Sequence, residues 1–190
     1  MTKILLIRHG QTDGNLARRV QGQTNTPLNT TGHAQAEALS VKMATRHPDL
    51  TAIYSSDLDR AHQTALKTAQ KLALPVATHP HFRERHFGSA EGMLVSELIA
   101  LYGEPHWVDA PIDGSESRAE MLLRFTTTLA ACATQHEGKK IAIFTHGLAI
   151  RTMIIEYSPK SELPFLNNCD VASFSWNRAT GLFLFEEIEQ

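Results

Sequence analysis

The sequence predicts an α/β fold of three layers, α/β/α, with a mostly parallel central sheet and a small cap excursion. Two observations predict it. Short apolar runs of strand length alternate with longer segments of helical period along most of the chain. Such alternation lays parallel strands side by side and puts helices on both faces. One stretch, His86 to Ser115, breaks the alternation, being rich in turn residues and poor in strand signal. It is expected to pass over the sheet as a cap. The chain has 190 residues, 42% of them apolar, which suits one domain over 1–190 with a packed core.

The elements follow in order. Ile4 to Ile7 is a buried strand, and Thr31 to Arg46 a helix in which Leu39 and Met43 stack at i, i+4. Ala52 to Ser55 is the second strand. Asp57 to Leu72 is a helix with Ala61, Ala65, Ala69 and Leu72 on one stripe, and Pro75 to Thr78 is a short strand. Ser117-Arg118-Ala119-Glu120 has the spacing of a capping box and opens a helix that Gly138 ends. Its apolar stripe is Leu122, Phe125, Leu129 and Cys132. Lys140 to Thr145 is another buried strand and Leu148 to Tyr157 another helix. Val171 to Trp176 and Leu182 to Glu187 close the chain as a strand pair across Thr180-Gly181.

Composition narrows the function. With 18 Lys and Arg against 20 Asp and Glu, the formal charge is −2, which argues against a nucleic-acid surface. The two cysteines, Cys132 and Cys169, share no short motif and exclude a disulfide-dense scaffold or a four-cysteine zinc site. No apolar run reaches the ~18 residues of a membrane span, and the first strand is too short for a secretory core. A cytoplasmic protein without membrane contact is expected, as a monomer or homodimer.

In open parallel sheets, ligands bind where strands end and loops begin. The first strand runs into Arg8-His9-Gly10, the second into Ser55-Ser56-Asp57 and on to Arg60. The third leads to Arg83-Glu84-Arg85, and the Ile141 strand ends at Thr145-His146-Gly147. Two histidines, two arginines and a carboxylate thus converge on one rim. That set suits a phosphoryl group, because Arg forks match its oxygens and stay charged. A neutral imidazole can take phosphorus covalently, and a carboxylic acid can protonate the leaving oxygen. A helix opening at Gly147 is expected to add N–H donors to the phosphoryl site.

Taken singly, these residues have bland readings. Arg60 reads as a solvated helix residue, Glu84 as part of a charge run, and His146 as a turn histidine. Together, at strand ends and in order, they resemble the histidine phosphatase superfamily, the phosphoglycerate-mutase-like group. Arg8-His9-Gly10 with Asn15, Gly22, Pro27-Leu28 and Gly32-x-x-Gln35-Ala36 resembles its opening. Ser55-Ser56-x-Leu58-x-Arg60-Ala61-x-x-Thr64-Ala65 resembles its second signature, and Arg83-Glu84-x-x-Phe87-Gly88-x-x-Glu91-Gly92 its acid/base segment. Gly114-x-Glu116-Ser117, Arg124 and Thr145-His146-Gly147 resemble the rest, with Ser115 where the family often has a second Gly. The resemblance implies that His9 is the phosphorylated nucleophile and Glu84 the acid/base. It implies phosphoryl binding by Arg8, Arg60 and His146 with Asn15 beside them, and further contacts from Gln21, Gly22 and Gly147.

The expected function is a metal-independent phosphomonoesterase acting on a small phosphorylated metabolite, with no cofactor. The histidines His79, His81 and His86 lie close in sequence, but no further ligand pattern joins them, so no metal site is assigned. A phosphoglycerate mutase and a non-catalytic phosphate-binding module are the alternatives. Against the mutase stands the segment from His86 to Ser117, with six acids (Glu91, Glu97, Glu104, Asp109, Asp113, Glu116) and no Lys or Arg. As a cap it is expected to repel a second anionic group.

Overall fold

The structure, a computed structural model, describes residues 1–104, 106–158 and 166–189. One six-stranded sheet runs in the order β3-β2-β4-β1-β5-β6. Its strands are β1 (Thr2–Arg8), β2 (Leu50–Ser55), β3 (Val76–Thr78), β4 (Lys140–Thr145), β5 (Val171–Asn177) and β6 (Leu182–Glu189). The first four pair in parallel, and β5 runs antiparallel to both β1 and β6. The helices are α1 (Asp13–Leu16), α2 (Thr30–Arg46), α3 (Asp59–Leu72), α4 (Val95–Tyr102), α5 (Arg118–Gln135) and α6 (Gly147–Tyr157).

The period-2 pleat splits the apolar runs between two faces. Ile4, Leu6, Ile141 and Ile143 pack with Phe125 and Leu129 of α5 and Ile150 and Met153 of α6. Leu5, Ile7, Ala142 and Phe144 pack on the other face with Leu39 and Met43 of α2 and Ala65 and Ala69 of α3. This is why β1 and β4 read as unbroken apolar runs: neither face meets water. Truncating one of the large buried side chains, such as Phe125 at 1% exposure, costs about 3–5 kcal/mol.

Most elements fall within one to three residues of the expected bounds. The capping box at Ser117 forms as expected, with Ser117 accepting from the Glu120 N–H and Glu120 answering at the Ser117 N–H. The helix expected from Asp57 begins instead at Asp59. The Leu58 N–H is taken by Ser56 Oγ at 3.3 Å and the Asp59 N–H by Asn25 Oδ1 at 2.8 Å, so side chains close this end. The core face of α5 also includes Met121, while Leu122 is only partly buried. The excursion over 86–115 carries a helix the turn-rich sequence hid, α4, and a small apolar cluster of Val20, Phe87, Ala90, Leu98, Ala110 and Ile112. Backbone bridges tie it to Arg19 through Leu94 and tie its two ends together between Phe87 and Ser115.

Candidate active site

The ends of β1, β2 and β4 meet at one edge of the sheet, as in any parallel sheet where consecutive strands finish together. Arg8 pairs with Thr145, and the His9 N–H donates to the Thr145 carbonyl at 3.1 Å. The chain then turns at Gly10, whose N–H donates to Thr64 Oγ1 of α3 at 3.0 Å. A Cβ at Gly10 would stand 2.6 Å from the Gly32 carbonyl oxygen, so the close approach of α2 demands glycine here.

His9 is 3% exposed. Its Nδ1 lies 2.7 Å from the Gly10 carbonyl oxygen, which can only accept. Nδ1 therefore carries the proton of the neutral ring, and the lone pair sits on Nε2. Burial, then the charges of Arg60 and Arg8, hold the His9 pKa well below its ordinary 6.5. The ring is neutral at physiological pH.

Arg60 is 1% exposed and fixed on three backbone or side-chain oxygens: Gly22 O at 2.7 Å, Thr24 O at 2.8 Å and Thr26 Oγ1 at 3.4 Å. Burial lowers its pKa to about 10, which leaves it protonated at neutral pH. Gly22 offers that carbonyl from a left-handed conformation, φ 49°. Arg8 donates to the Leu166 carbonyl at 2.7 Å. Arg8 Nε, Arg60 Nε and His146 Nδ1 are buried nitrogens without a hydrogen-bond partner among the described residues. Unpaired buried donors are costly, and three in one cluster favour an anionic oxygen-rich ligand.

Glu84 reaches the same edge on the loop after β3. Its Oε2 accepts the Leu148 N–H at 2.9 Å, and its Oε1 accepts those of Ala149 at 3.1 Å and Arg85 at 2.9 Å. The Leu148 and Ala149 donors at the start of α6 thus hold the Glu84 carboxylate, while Gly147 lines the cavity. Burial pushes the Glu84 pKa above its ordinary 4.5, against the pull of those N–H groups and of Arg60.

A cavity of about 460 Å³ lies over this edge. Arg8, His9, Arg60 and Glu84 line it, together with Asn15, Gln21, Gly22 and Gly147. His146 does not line it. That ring is fully buried, its centroid 5.3 Å from that of His9 in an edge-on arrangement, with Nε2 2.9 Å from Ser56 Oγ. The same burial, with Arg60 as the next cause, holds its pKa well below 6.5. Asn15 Oδ1 accepts the Thr12 N–H at 3.1 Å, closing α1, and Gln21 Oε1 accepts from Thr12 and Thr26 at 2.7 Å each.

Of the cap acids, Glu91 acts on the site from outside the cavity, its charge favouring protonated Arg60. None of the six cap acids lines this cavity. Glu91 accepts the N–H groups of Gln23, Thr24 and Phe87, Glu97 caps α4, Glu116 pairs with Arg124 and Asp109 with Arg118. Ser115 lies against a separate cavity of about 680 Å³, beside Arg85 and Arg118, which includes none of Arg8, His9, Arg60, Glu84 and His146. The lining around His9 is instead cationic: Arg8, Arg19, Arg60 and Arg151 against Glu84 alone.

Three groups position the site: Ser56 and Arg124, which the resemblance names without a role, and Asn168, which carries no signal in the sequence. Ser56 holds His146, Asn168 Nδ2 donates to the His9 carbonyl at 2.9 Å, and Arg124 Nη2 donates to the Glu84 carbonyl at 2.9 Å. Among the described residues, no group of three or more His, Cys, Asp or Glu is placed to hold a metal ion. No helix among them is long and apolar enough to cross a membrane.

Comparison with known proteins agrees with this geometry. The model of the histidine phosphatase superfamily, branch 1, matches residues 4–182. A metal-independent phosphoserine phosphatase of Arabidopsis thaliana is 33% identical over 180 residues, covering 90% of this chain and 75% of the relative. A probable phosphoglycerate mutase of Serratia proteamaculans is 33% identical over 162 residues, covering 81% and 74%. The solved phosphoserine phosphatase of Entamoeba histolytica in complex with 3-phosphoglyceric acid is 27% identical, with TM-score 0.80, covering 100% of this chain and 98% of that one. A buried neutral imidazole between two arginines, a carboxyl group held beside it, and a match across nearly the whole chain lead to one conclusion: this is a phosphatase-class enzyme belonging to the histidine phosphatase superfamily.

Proposed function

We propose that the chain is a metal-independent phosphomonoesterase that hydrolyses a small phosphorylated metabolite through a phosphohistidine at His9. The observation that carries this reading is the 2.7 Å contact of His9 Nδ1 with the Gly10 carbonyl, made by a ring whose charge burial, and then Arg60 and Arg8, suppress. It leaves Nε2 as a nucleophile that needs no separate base.

In the first half-reaction Nε2 attacks phosphorus in line, the new P–N bond forms and the ester P–O bond breaks. Arg8 and Arg60 take the charge on the phosphoryl oxygens, which is most of what phosphoryl transfer asks of a protein. His146 braces the His9 ring edge-on, its own ring held by Ser56. Glu84, protonated, gives its proton to the leaving oxygen. In the second half-reaction water attacks phosphorus, Glu84 takes its proton, the P–N bond breaks and inorganic phosphate leaves. A cavity of about 460 Å³ suits a small metabolite.

A mutase is the second reading, favoured by one observation: Arg19 and Arg151 add cationic charge to the cavity beyond the phosphoryl set. The deciding experiment incubates the pure protein with a panel of phosphomonoesters, with and without EDTA. One arm supplies 3-phosphoglycerate with its bisphosphate primer. Hydrolysis requires stoichiometric release of inorganic phosphate, insensitive to EDTA. Isomerisation of 3-phosphoglycerate without phosphate release selects the mutase. Activity lost to EDTA and restored by a divalent ion rejects the metal-independent mechanism.

A further inference from the structure

Arg60 is buried, and both of its terminal nitrogens donate to backbone carbonyls, of Thr24 and of Gly22. The place of its guanidinium therefore depends on what holds residues 22–24. Glu91 holds them from the cap. Its Oε1 accepts the Gln23 N–H at 2.9 Å, and its Oε2 accepts the Thr24 N–H at 2.8 Å together with the Thr24 hydroxyl. The same Oε1 accepts the Phe87 N–H at 3.1 Å, with His86 Nε2 farther off at 3.7 Å. Phe87 and Arg60 both line the cavity, and Glu91 does not. One largely buried carboxyl group thus ties the loop that seats Arg60 to the cavity wall.

The connection runs through a single peptide group. The Gly22 carbonyl and the Gln23 N–H belong to one peptide unit, which accepts from Arg60 at its oxygen and donates to Glu91 at its nitrogen. Hydrogen bonds in such a chain polarise one another, and both ends of this one are charged groups. A Cβ at Gly22 would collide with Glu91 Oε1, so the left-handed glycine and the carboxylate are fitted to each other. Burial works against the Arg60 charge, and Glu84 and then Glu91 support it. Glu84 must be neutral to give its proton in the first half-reaction. Glu91 receives four donors through an acceptor-only carboxylate and is the negative partner that remains.

We propose that Glu91 is a positioning residue of the phosphoryl site, acting through the Gly22–Gln23 peptide to hold the Arg60 guanidinium against the transferring group. The proposal rests on the phosphatase reading of the same cavity and adds a residue that touches no substrate. The competing role is scaffolding alone, in which Glu91 only fastens the cap.

A double-variant cycle separates the two roles. Glu91→Gln keeps the shape, but one carboxylate oxygen becomes an NH2 group that cannot accept the N–H facing it. kcat/KM for 4-nitrophenyl phosphate should fall by about tenfold or more, and equally for an alkyl phosphate, since Glu84 is untouched. In the Arg60→Lys background, where the fork is gone, the same substitution should cost less than about twofold. Equal losses in both backgrounds, a loss confined to alkyl esters, or wild-type activity in Glu91→Gln would overturn the proposal. Glu97→Gln removes the cap acid that accepts the Leu94 N–H and should stay within about twofold of wild type. A loss there equal to that of Glu91→Gln would assign the effect to cap charge and overturn the proposal. Urea unfolding shows whether Glu91→Gln is folded. If it is not, Glu91→Asp, which keeps the charge one methylene short, passes through the same cycle with the same criterion. If the wild type hydrolyses no phosphoester, the phosphatase reading fails separately. The cycle is then read on calorimetric affinity for inorganic phosphate, and a Glu91→Gln loss that persists in full beside Arg60→Lys overturns the positioning role.

Discussion

Glu84 Oε2 accepts the backbone N–H of Leu148 at 2.9 Å, so the first turn of α6 holds the carboxyl group that stands beside His9. The positive end of the helix favours the ionised acid, and burial favours the neutral one. Burial prevails, and the Glu84 pKa lies above 4.5. A carboxyl group balanced in this way can both give a proton and take one back. Its side-chain position is set by backbone donors and by the Arg124 contact to its own carbonyl, so the geometry does not depend on the loop alone.

Glu84→Gln is expected to lower kcat/KM for alkyl phosphates by about 10²–10⁴-fold and for 4-nitrophenyl phosphate far less, because the aryl leaving group hardly needs a proton. The sign of the pH dependence follows from the two shifts. His9 becomes inactive when protonated, so its lowered pKa sets the acid limb. Glu84 becomes inactive as an acid when ionised, so its raised pKa sets the alkaline limb, and Glu84→Gln should remove that limb. Equal losses on alkyl and aryl esters, with the alkaline limb intact, would exclude Glu84 as the acid.

Arg60→Lys keeps the charge but not the fork that reaches Gly22 O and Thr24 O. Leaving such buried acceptors unpaired costs about 1–3 kcal/mol. Urea unfolding should show that loss, and kcat/KM should fall by at least about tenfold. A lysine variant with wild-type stability would mean that the Arg60 contacts are dispensable.

Stability should also report the buried histidines. His9 and His146 bind protons less readily folded than unfolded. Below about pH 6.5 the unfolded chain therefore holds more protons, and folding weakens as pH falls, by up to about 1.4 kcal/mol per pH unit for each ring. Glu84 acts in the opposite sense, since its raised pKa adds stability as pH drops toward 4.5. The comparison that isolates His9 is the slope of urea midpoints between pH 7.5 and 5.5 in wild type and in His9→Gln. The variant should have the shallower slope, and identical slopes would place the His9 pKa near its ordinary value.

How much was legible in the sequence depended on whether a feature was periodic. β1 and β4 are buried on both faces, so unbroken apolar runs announced them. α4 was hidden because only Leu98 among its residues is fully buried and the surrounding turns mask its period. Arg8, His9 and Arg60 sit at strand and helix ends, where order along the chain is informative. The cap acids were misread because charge along a sequence does not reveal its partner: Glu91 and Glu97 are consumed by backbone N–H groups and Glu116 by Arg124. Arg19 and Arg151 look like any solvated arginine until the cavity brings them to one wall. The burial of His146 behind His9 depends on side-chain packing between β4 and β2, which no spacing encodes.

The account stands most directly on the covalent intermediate at His9. Rapid quenching of the enzyme during turnover of a labelled phosphomonoester, followed by peptide mapping, measures it. The account predicts label on His9 that is lost in acid and retained in alkali, and its absence, together with turnover, in His9→Ala. Full turnover by His9→Ala, or label on another residue, would contradict it.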